Sequence, residues 1–337
     1  MSSLNERLSA LGISAPEFRG FITKDNRAQI AQDAALVTTP NTLTPAYLGA
    51  YIDREAVEIL TAPRNARAVF PEVKKGDWGT PFAQFRTAEY TGTTTPYSDF
   101  TENTRAGVNY NWPTRKQYRF QTTIDYGDLE SEITGLAGVN LVADKQQSAA
   151  HVIDVDANKF ALLGVTGYEV YGLLNDPSLP ARLTPANGAG GSPLWANKTM
   201  DEIYNDILDM YSNMQTQSQG LVDMDSNLAL LLPPGLMPEM GKTNAYGNKT
   251  AKSLVEEYFG GRIQFITIPE MATTSGNLVM LVARSVMGKP VAEIGFSEKL
   301  RMGRVIPQLS SFKQKVSSST YGTIYYRPYA VVSMLGC

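Results

Sequence analysis

Residues 126–164 constrain this chain more than any other stretch. Leu129, Ile133 and Leu136 recur at helical spacing. After Gly135 and Gly138 the pattern resumes, with Val142, Ala149, Val152, Ile153, Phe160 and Leu163 near one face of a 3.6-residue period. Asp144, Lys145, Gln146, Gln147, Asp154 and Asp156 take other faces, and no proline interrupts the run. The spacing predicts either one long helix with a weak point at its glycines or a short helix leading into a long one. A rod of that length beside a long polar segment is a poor plan for a self-sufficient monomer. It is a good plan for a repeated building block.

The polar segment is 72–125. Val108, Tyr110 and Trp112 alternate with Asn109 and Asn111, and Tyr118, Phe120, Thr122 and Ile124 repeat the period of two. Phe82 and Phe85 lie in a strand-like stretch before Tyr90, while 91–106 is mostly Thr, Gly, Pro, Ser and Asn. This reads as a long two-stranded hairpin projecting from the body. An isolated hairpin is marginal in water, and a long bare edge invites pairing with another chain. A neighbouring subunit is the simplest cover. Phe82, Phe85, Arg86, Tyr90, Tyr97, Phe100, Arg105, Tyr110 and Trp112 are therefore the candidate assembly contacts, because Tyr, Trp and Arg are enriched where interfaces carry their energy. A stacking platform for single-stranded nucleic acid would use the same aromatics. Against it, 72–125 holds seven bases and six acids, with no basic groove. Aromatics packing on their own hairpin are the plainer alternative.

Around these two features the chain divides further. Residues 1–43 read as an N-terminal arm in which Leu4, Leu8 and Leu11 allow one short helix, with Thr38, Thr39, Pro40, Asn41 and Thr42 breaking any continuation. Residues 44–71 begin with Thr44 and Pro45, an N-cap and first-turn proline for a helix near 45–60 that Pro63 ends. Residues 126–198 hold the long helix and a Gly- and Pro-rich connection. Residues 199–297 read as an α/β unit. Thr199 and Glu202 form a capping box, the helix runs to Gln217, and Leu228 to Leu232 is a buried strand. A helix from Ala251 to Phe259 and strands at Ile263 to Ile268 and Leu278 to Ala283 follow. Residues 298–337 return to a β pattern, with Phe312, Gln314 and Val316 on one face and Lys313 and Lys315 on the other. The expected class is α+β.

Thirty bases against 33 acids leave no global field for nucleic acid. The balance is uneven, though: 126–164 carries six acids and two bases, 298–337 six bases and only Glu298. Either these segments attract each other, within or between subunits, or the basic end faces a polyanion, or both are solvated faces. At 19% charged, the chain falls below the usual ~25%, which suits a surface covered by neighbours. Cys337 is the only cysteine, so no intrachain disulfide forms and a reducing cytoplasm fits. No signal sequence and no membrane span are expected.

The residues offer little chemistry. His151 is the only histidine and lies mid-helix, so it is expected to be structural. Met287, Gly288 and Lys289 imitate the end of a phosphate loop, but Pro290 replaces its hydroxyl residue. Asp223 and Asp225 fit a solvated loop better than a metal pair. Asp154 and Asp156 point to different helix faces. No catalytic, cofactor-binding or metal-binding residue is expected, and no enzyme.

The order of elements (arm, extended hairpin, spine helix, central α/β unit, closing β segment) resembles the tailed-bacteriophage major capsid fold, which encapsulins and the herpesvirus capsid floor share. The matching stretches are PAYLGAYIDREAVEIL, TAPRNARAVFPEVKKGDWGTPF, LALLLPPGLM, SLVEEYFGGRIQFITIPEM, GNLVMLVAR and YGTIYYRPYAVVSMLG. The resemblance implies a shell protein that forms hexamers and pentamers of itself, enclosing double-stranded DNA by non-specific contact in an icosahedral virion. The spine helix and flanking strands would make a peripheral domain and 199–297 an axial domain. Residues 72–125 would be the extended loop lying over the next subunit. Assembly in the host bacterial cytoplasm, a separate scaffolding protein and a portal are implied, with a decoration protein left open. Some such proteins crosslink a loop lysine to a neighbour's asparagine; 76–114 contains no lysine, so no such link is expected at the loop tip. An encapsulin-type nanocompartment shell is the alternative, and an enzyme built on 199–297 the second.

Overall fold

The computed structural model describes residues 64–337 apart from 98, 100–103, 137, 139, 245 and 275, and all of these belong to one compact unit, Leu60–Cys337. The expected N-terminal arm and the helix near 45–60 lie outside the described residues, as does Phe100.

A one-turn helix α1 (Ala66–Val69) leads into β1 (Glu72–Lys74). The projecting segment is then built from β2 (Phe82–Gln84), β3 (Thr87–Thr91), β4 (Gly107–Asn111) and β5 (Thr114–Lys116). It is two short antiparallel ladders, β2 with β5 and β3 with β4, where the sequence suggested one long hairpin. Pro113 explains the break. Proline has no N–H to give the ladder, and its carbonyl instead accepts from Phe85 N at 3.0 Å.

The long β6 (Tyr118–Gly127) runs into α2 (Asp128–Leu136), and α3 (Leu141–Leu163) follows after a break. Of the two helix readings, the short-then-long one is correct. Gly138 takes φ +72° in the break, and Asn140 caps α3 by accepting from Ala143 N at 3.3 Å. α3 spans two cores. Ala149 and Ile153 pack against Ile124 of β6 and Val316, while Ala161 and Leu162 enter the main core. Its far end is closed by backbone bonds from Leu173 N to Ala161 O (2.8 Å) and from Leu174 N to Leu162 O (2.9 Å). Gly322 seals this junction: at φ +74° it admits no ordinary side chain, and a Cβ would lie 2.1 Å from Tyr171 O.

The main core lies in a sheet of β7 (Leu228–Leu232), β8 (Ile263–Thr267) and β9 (Gly276–Ala283), covered by α4 (Met200–Gln217) and α5 (Ala251–Tyr258). α4 contributes Ile203, Ile207, Met210 and Met214, one stripe at helical spacing and all buried. Glu202 accepts from Thr199 N at 2.8 Å and from Ala189 N at 2.6 Å, so the cap also ties down the glycine-rich connection. Under the start of α4, Lys198 and Asp206 form a buried ion pair at 2.5 Å, and Trp195 Nε1 donates to the same carboxylate at 2.8 Å. Desolvation holds the Asp206 pKa above the ordinary carboxylate value.

The remaining strands are β10 (Ala292–Phe296), β11 (Arg301–Pro307), β12 (Ser311–Thr320), β13 (Gly322–Tyr325) and β14 (Val331–Leu335). They correct the picture of one closing segment. β11 and β12 join β6 in a three-stranded sheet, while β13 and β1 flank β10 in another. β14 departs altogether and pairs with β9 at the edge of the central sheet, in the order β14–β9–β7–β8. β10, inside the 199–297 range, is likewise outside the central sheet. β14 is apolar at Val331, Val332 and Met334, all buried, so it finds its cover where the largest core lies.

Candidate assembly surface

Every residue of β3 and β4 is exposed. The register pairs Tyr90 with Val108 and Ala88 with Tyr110, and directly opposed residues share a face. Val108, Tyr110 and Trp112 alternate onto that side. One face of the ribbon is therefore Tyr90, Ala88, Val108, Tyr110 and Trp112, and the other is Thr87, Glu89, Asn109 and Asn111. Tyr90 is 86% exposed, Tyr110 57% and Trp112 55%. Arg86 lies over the Tyr110 ring at 5.4 Å, and the ring residue stays more than half exposed. Tyr97, near the tip, is 92% exposed and donates to Asp99 at 2.5 Å; that bond raises its phenol pKa. Arg105 is exposed with no ion-pair partner among the described residues.

Two of the expected contacts serve the root of the ribbon more than its face. Phe82 is half exposed in the root ladder. Phe85 meets the Tyr326 ring edge-on at 6.0 Å. Sequence reasoning missed the rest of the root. Arg115 pairs with the fully buried carboxylate of Asp176 at 2.6 Å and lies over Tyr171 at 4.8 Å. Ser178 N and Oγ donate to the other Asp176 oxygen. Arg119 donates twice to Trp78 O, and both Arg119 (5.6 Å) and Arg301 (5.2 Å) lie over the Trp78 ring. No local pattern announces these pairs, because the partners are far apart in sequence. The ribbon thus has a fixed root and a bare aromatic face. A part so fixed would bind a partner without a large ordering cost.

A cavity of about 440 Å³ lies elsewhere, between α3, β10 and β12, lined by Arg64, Arg67, Glu72, His151, Asp154 and Lys299. Arg64 and Arg67 both pair with Asp154, Arg67 also reaches Glu72 at 2.6 Å, and Lys299 pairs with Glu72. His151 Nδ1 takes a hydrogen bond from Arg64 at 2.6 Å; a guanidinium can only donate, so Nδ1 accepts. These ion pairs fasten the start of the described chain to α3. The ionisable cluster is not on 199–297, where the enzyme reading needs one. Asp223 and Asp225 diverge: Asp223 accepts from Ser226 Oγ at 2.9 Å, and Asp225 pairs with Arg262. Among the described residues no group of acids, His and Cys is arranged to hold a metal ion, and no helix is long and apolar enough to cross a membrane.

The family model of the Pa193 gp26 major capsid protein matches residues 35–336. No curated protein sequence matches the chain. Among solved structures, the capsid of Myoviridae phage XM1 superposes with a TM-score of 0.71 at 13% identity, covering 88% of this chain and 99% of that one. Microbacterium phage Oxtober96 gives 0.59 at 9% identity, covering 87% and 97%. The SrpI encapsulin of Synechococcus elongatus PCC 7942 gives 0.55 at 12%, covering 88% and 96%. At these identities the structural likeness speaks for the fold alone, and phage capsids and encapsulins share it.

Proposed function

The chain belongs to the Pa193 gp26 major capsid protein family, and from that premise we propose that it is the repeating subunit of an icosahedral tailed-phage capsid, built through hexamers and pentamers around double-stranded DNA. The observation that carries the subunit contact is the fully exposed β3–β4 ribbon with its aromatic face on a fixed root. A neighbouring copy covers that face. The contact is heterologous, with the ribbon of one subunit on the body of the next, and identical heterologous contacts close into rings. Contacts that are weak singly become strong when repeated around a shell.

The role is structural rather than catalytic. A separate scaffolding protein and a portal act as partners during assembly in the host cytoplasm, and the packaged DNA is held without sequence-specific contact. The encapsulin reading shares the fold, and the family match favours the phage shell. Electron microscopy of purified particles, with measurement of nucleic acid content, tests this: closed polyhedral shells able to hold DNA are expected. A protein that stays monomeric at high concentration, with or without co-expressed phage proteins, would overturn it.

A further inference from the structure

The end of the molecule where β6 meets α2 is a second uncovered region, separate from the ribbon. α2 buries none of its residues. Leu129, Ile133 and Leu136, spaced as one helical stripe, are 70%, 58% and 91% exposed. Asp128 N donates to Ser310 O at 3.1 Å, so the turn joining β11 to β12 abuts the first residue of α2. That turn and the strand before it are also bare and apolar, with Leu309 fully exposed and Ile306 half exposed.

The two neighbouring surfaces carry opposite charge. On α2, Asp128 and Glu132 are exposed and form no ion pair among the described residues, while Glu130 is engaged by Lys145 at 2.7 Å. On β11 and β12, Arg304, Lys313 and Lys315 are exposed and equally unpaired. Lys313 and Lys315 point away from α3, whose side of the strand is taken by Gln314 and Val316. Ile306 lies opposite Lys313 and so shares its face. Asp125 is in register with Lys313 on the other side and forms no ion pair with it.

We propose that α2 of one subunit docks on the β11–β12 end of a second copy, with the Leu129, Ile133 and Leu136 stripe against Ile306 and Leu309. Asp128 and Glu132 then face Arg304, Lys313 and Lys315. The occupant is a second copy because the surfaces match in two independent respects, apolar against apolar and acid against base. A two-fold contact of like patches would set acid against acid. α2 therefore lies on the β11–β12 end of the other copy and not on its α2. Because both patches lie at one end of the subunit, a two-fold pair in which each copy supplies both patches satisfies the match as well as a ring does.

This contact rests on the shell reading, and its test separates the two. Asp128→Lys with Glu132→Lys reverses the helix, and Lys313→Glu with Lys315→Glu reverses the strand. Each double variant places like charges across the contact and should raise the concentration needed for shell formation, read by light scattering and sedimentation, at least about tenfold at low salt. The quadruple variant restores the charge match and should return to within about threefold of the parent. The unfolding temperature of the isolated subunit serves as the control for folding and should stay close to the parent's in all three. Double variants that assemble like the parent, or a quadruple variant no better than either double, overturn this contact and leave the shell reading standing. A parent that never assembles overturns both.

Discussion

β7 and β4 are both five-residue strands, and they meet opposite fates. Leu228–Leu232 is buried at every position, with β9 and β8 on either side and helices above. Gly107–Asn111 is exposed at every position and, among the described residues, paired only with β3. The first is stabilised within its own subunit; the second has an aromatic face that no described residue covers. Under the proposed ribbon contact, stability and assembly are held in separate parts of the chain, joined by the polar root around Arg115, Asp176 and Trp78.

The sharpest way to break that separation is at the joint between the parts. Gly322→Ala puts a methyl group against Tyr171 O on a positive-φ backbone, and Tyr171 also carries the Arg115 guanidinium. It should cost several kcal/mol and lower both soluble yield and unfolding temperature. Next comes a matched pair. Leu230→Ala should destabilise the subunit by about 2–5 kcal/mol in chemical unfolding. Tyr110→Ala should leave subunit stability within about 0.5 kcal/mol and yet weaken shell formation by about 2 kcal/mol per contact, roughly thirtyfold. A Tyr110→Ala subunit that unfolds early yet assembles normally would reverse the assignment of the ribbon.

A smaller effect is expected at Cys337, whose thiol pKa is pushed up to about 12 by burial. The unfolded chain loses this proton near the ordinary thiol value and the folded chain only near pH 12. The thiol therefore favours the fold fully at neutral pH, and its contribution is lost as pH rises from about 9 toward 12. A thiol-reactive dye should label the native subunit negligibly at pH 8 and stoichiometrically after denaturation. The smallest expected change is none: boiled, reduced particles should run as a single band, because 76–114 offers no lysine for a link at the ribbon tip. A covalent ladder would mean that another residue forms the link.

The legible parts of the sequence were those governed by neighbours in the chain. Leu228–Leu232 is bounded by Pro233, and α4 starts at its cap and ends at Gln217, as their patterns indicate. The alternation at Val108, Tyr110 and Trp112 gave both the strand and its aromatic face. Hidden features depend on distant partners. β14 has the same apolar pattern wherever it docks, and nothing in Val331–Leu335 says that β9 is its partner. Phe85 reads as one more exposed aromatic until Tyr326 is found beside it. Asp176 gives no hint in its own surroundings that it holds the root of the ribbon.

That root has a consequence for timing. The ribbon leaves the ribosome early, but Phe85 rests on Tyr326, the Trp78 ring needs Arg301, and β6 pairs with β12 along its whole length. Until translation reaches these residues, the root that sets the ribbon's direction is incomplete. Under the proposed ribbon contact, a nascent chain would lack a correctly aimed contact surface until those partners have emerged, which would hold it back from joining a shell too soon.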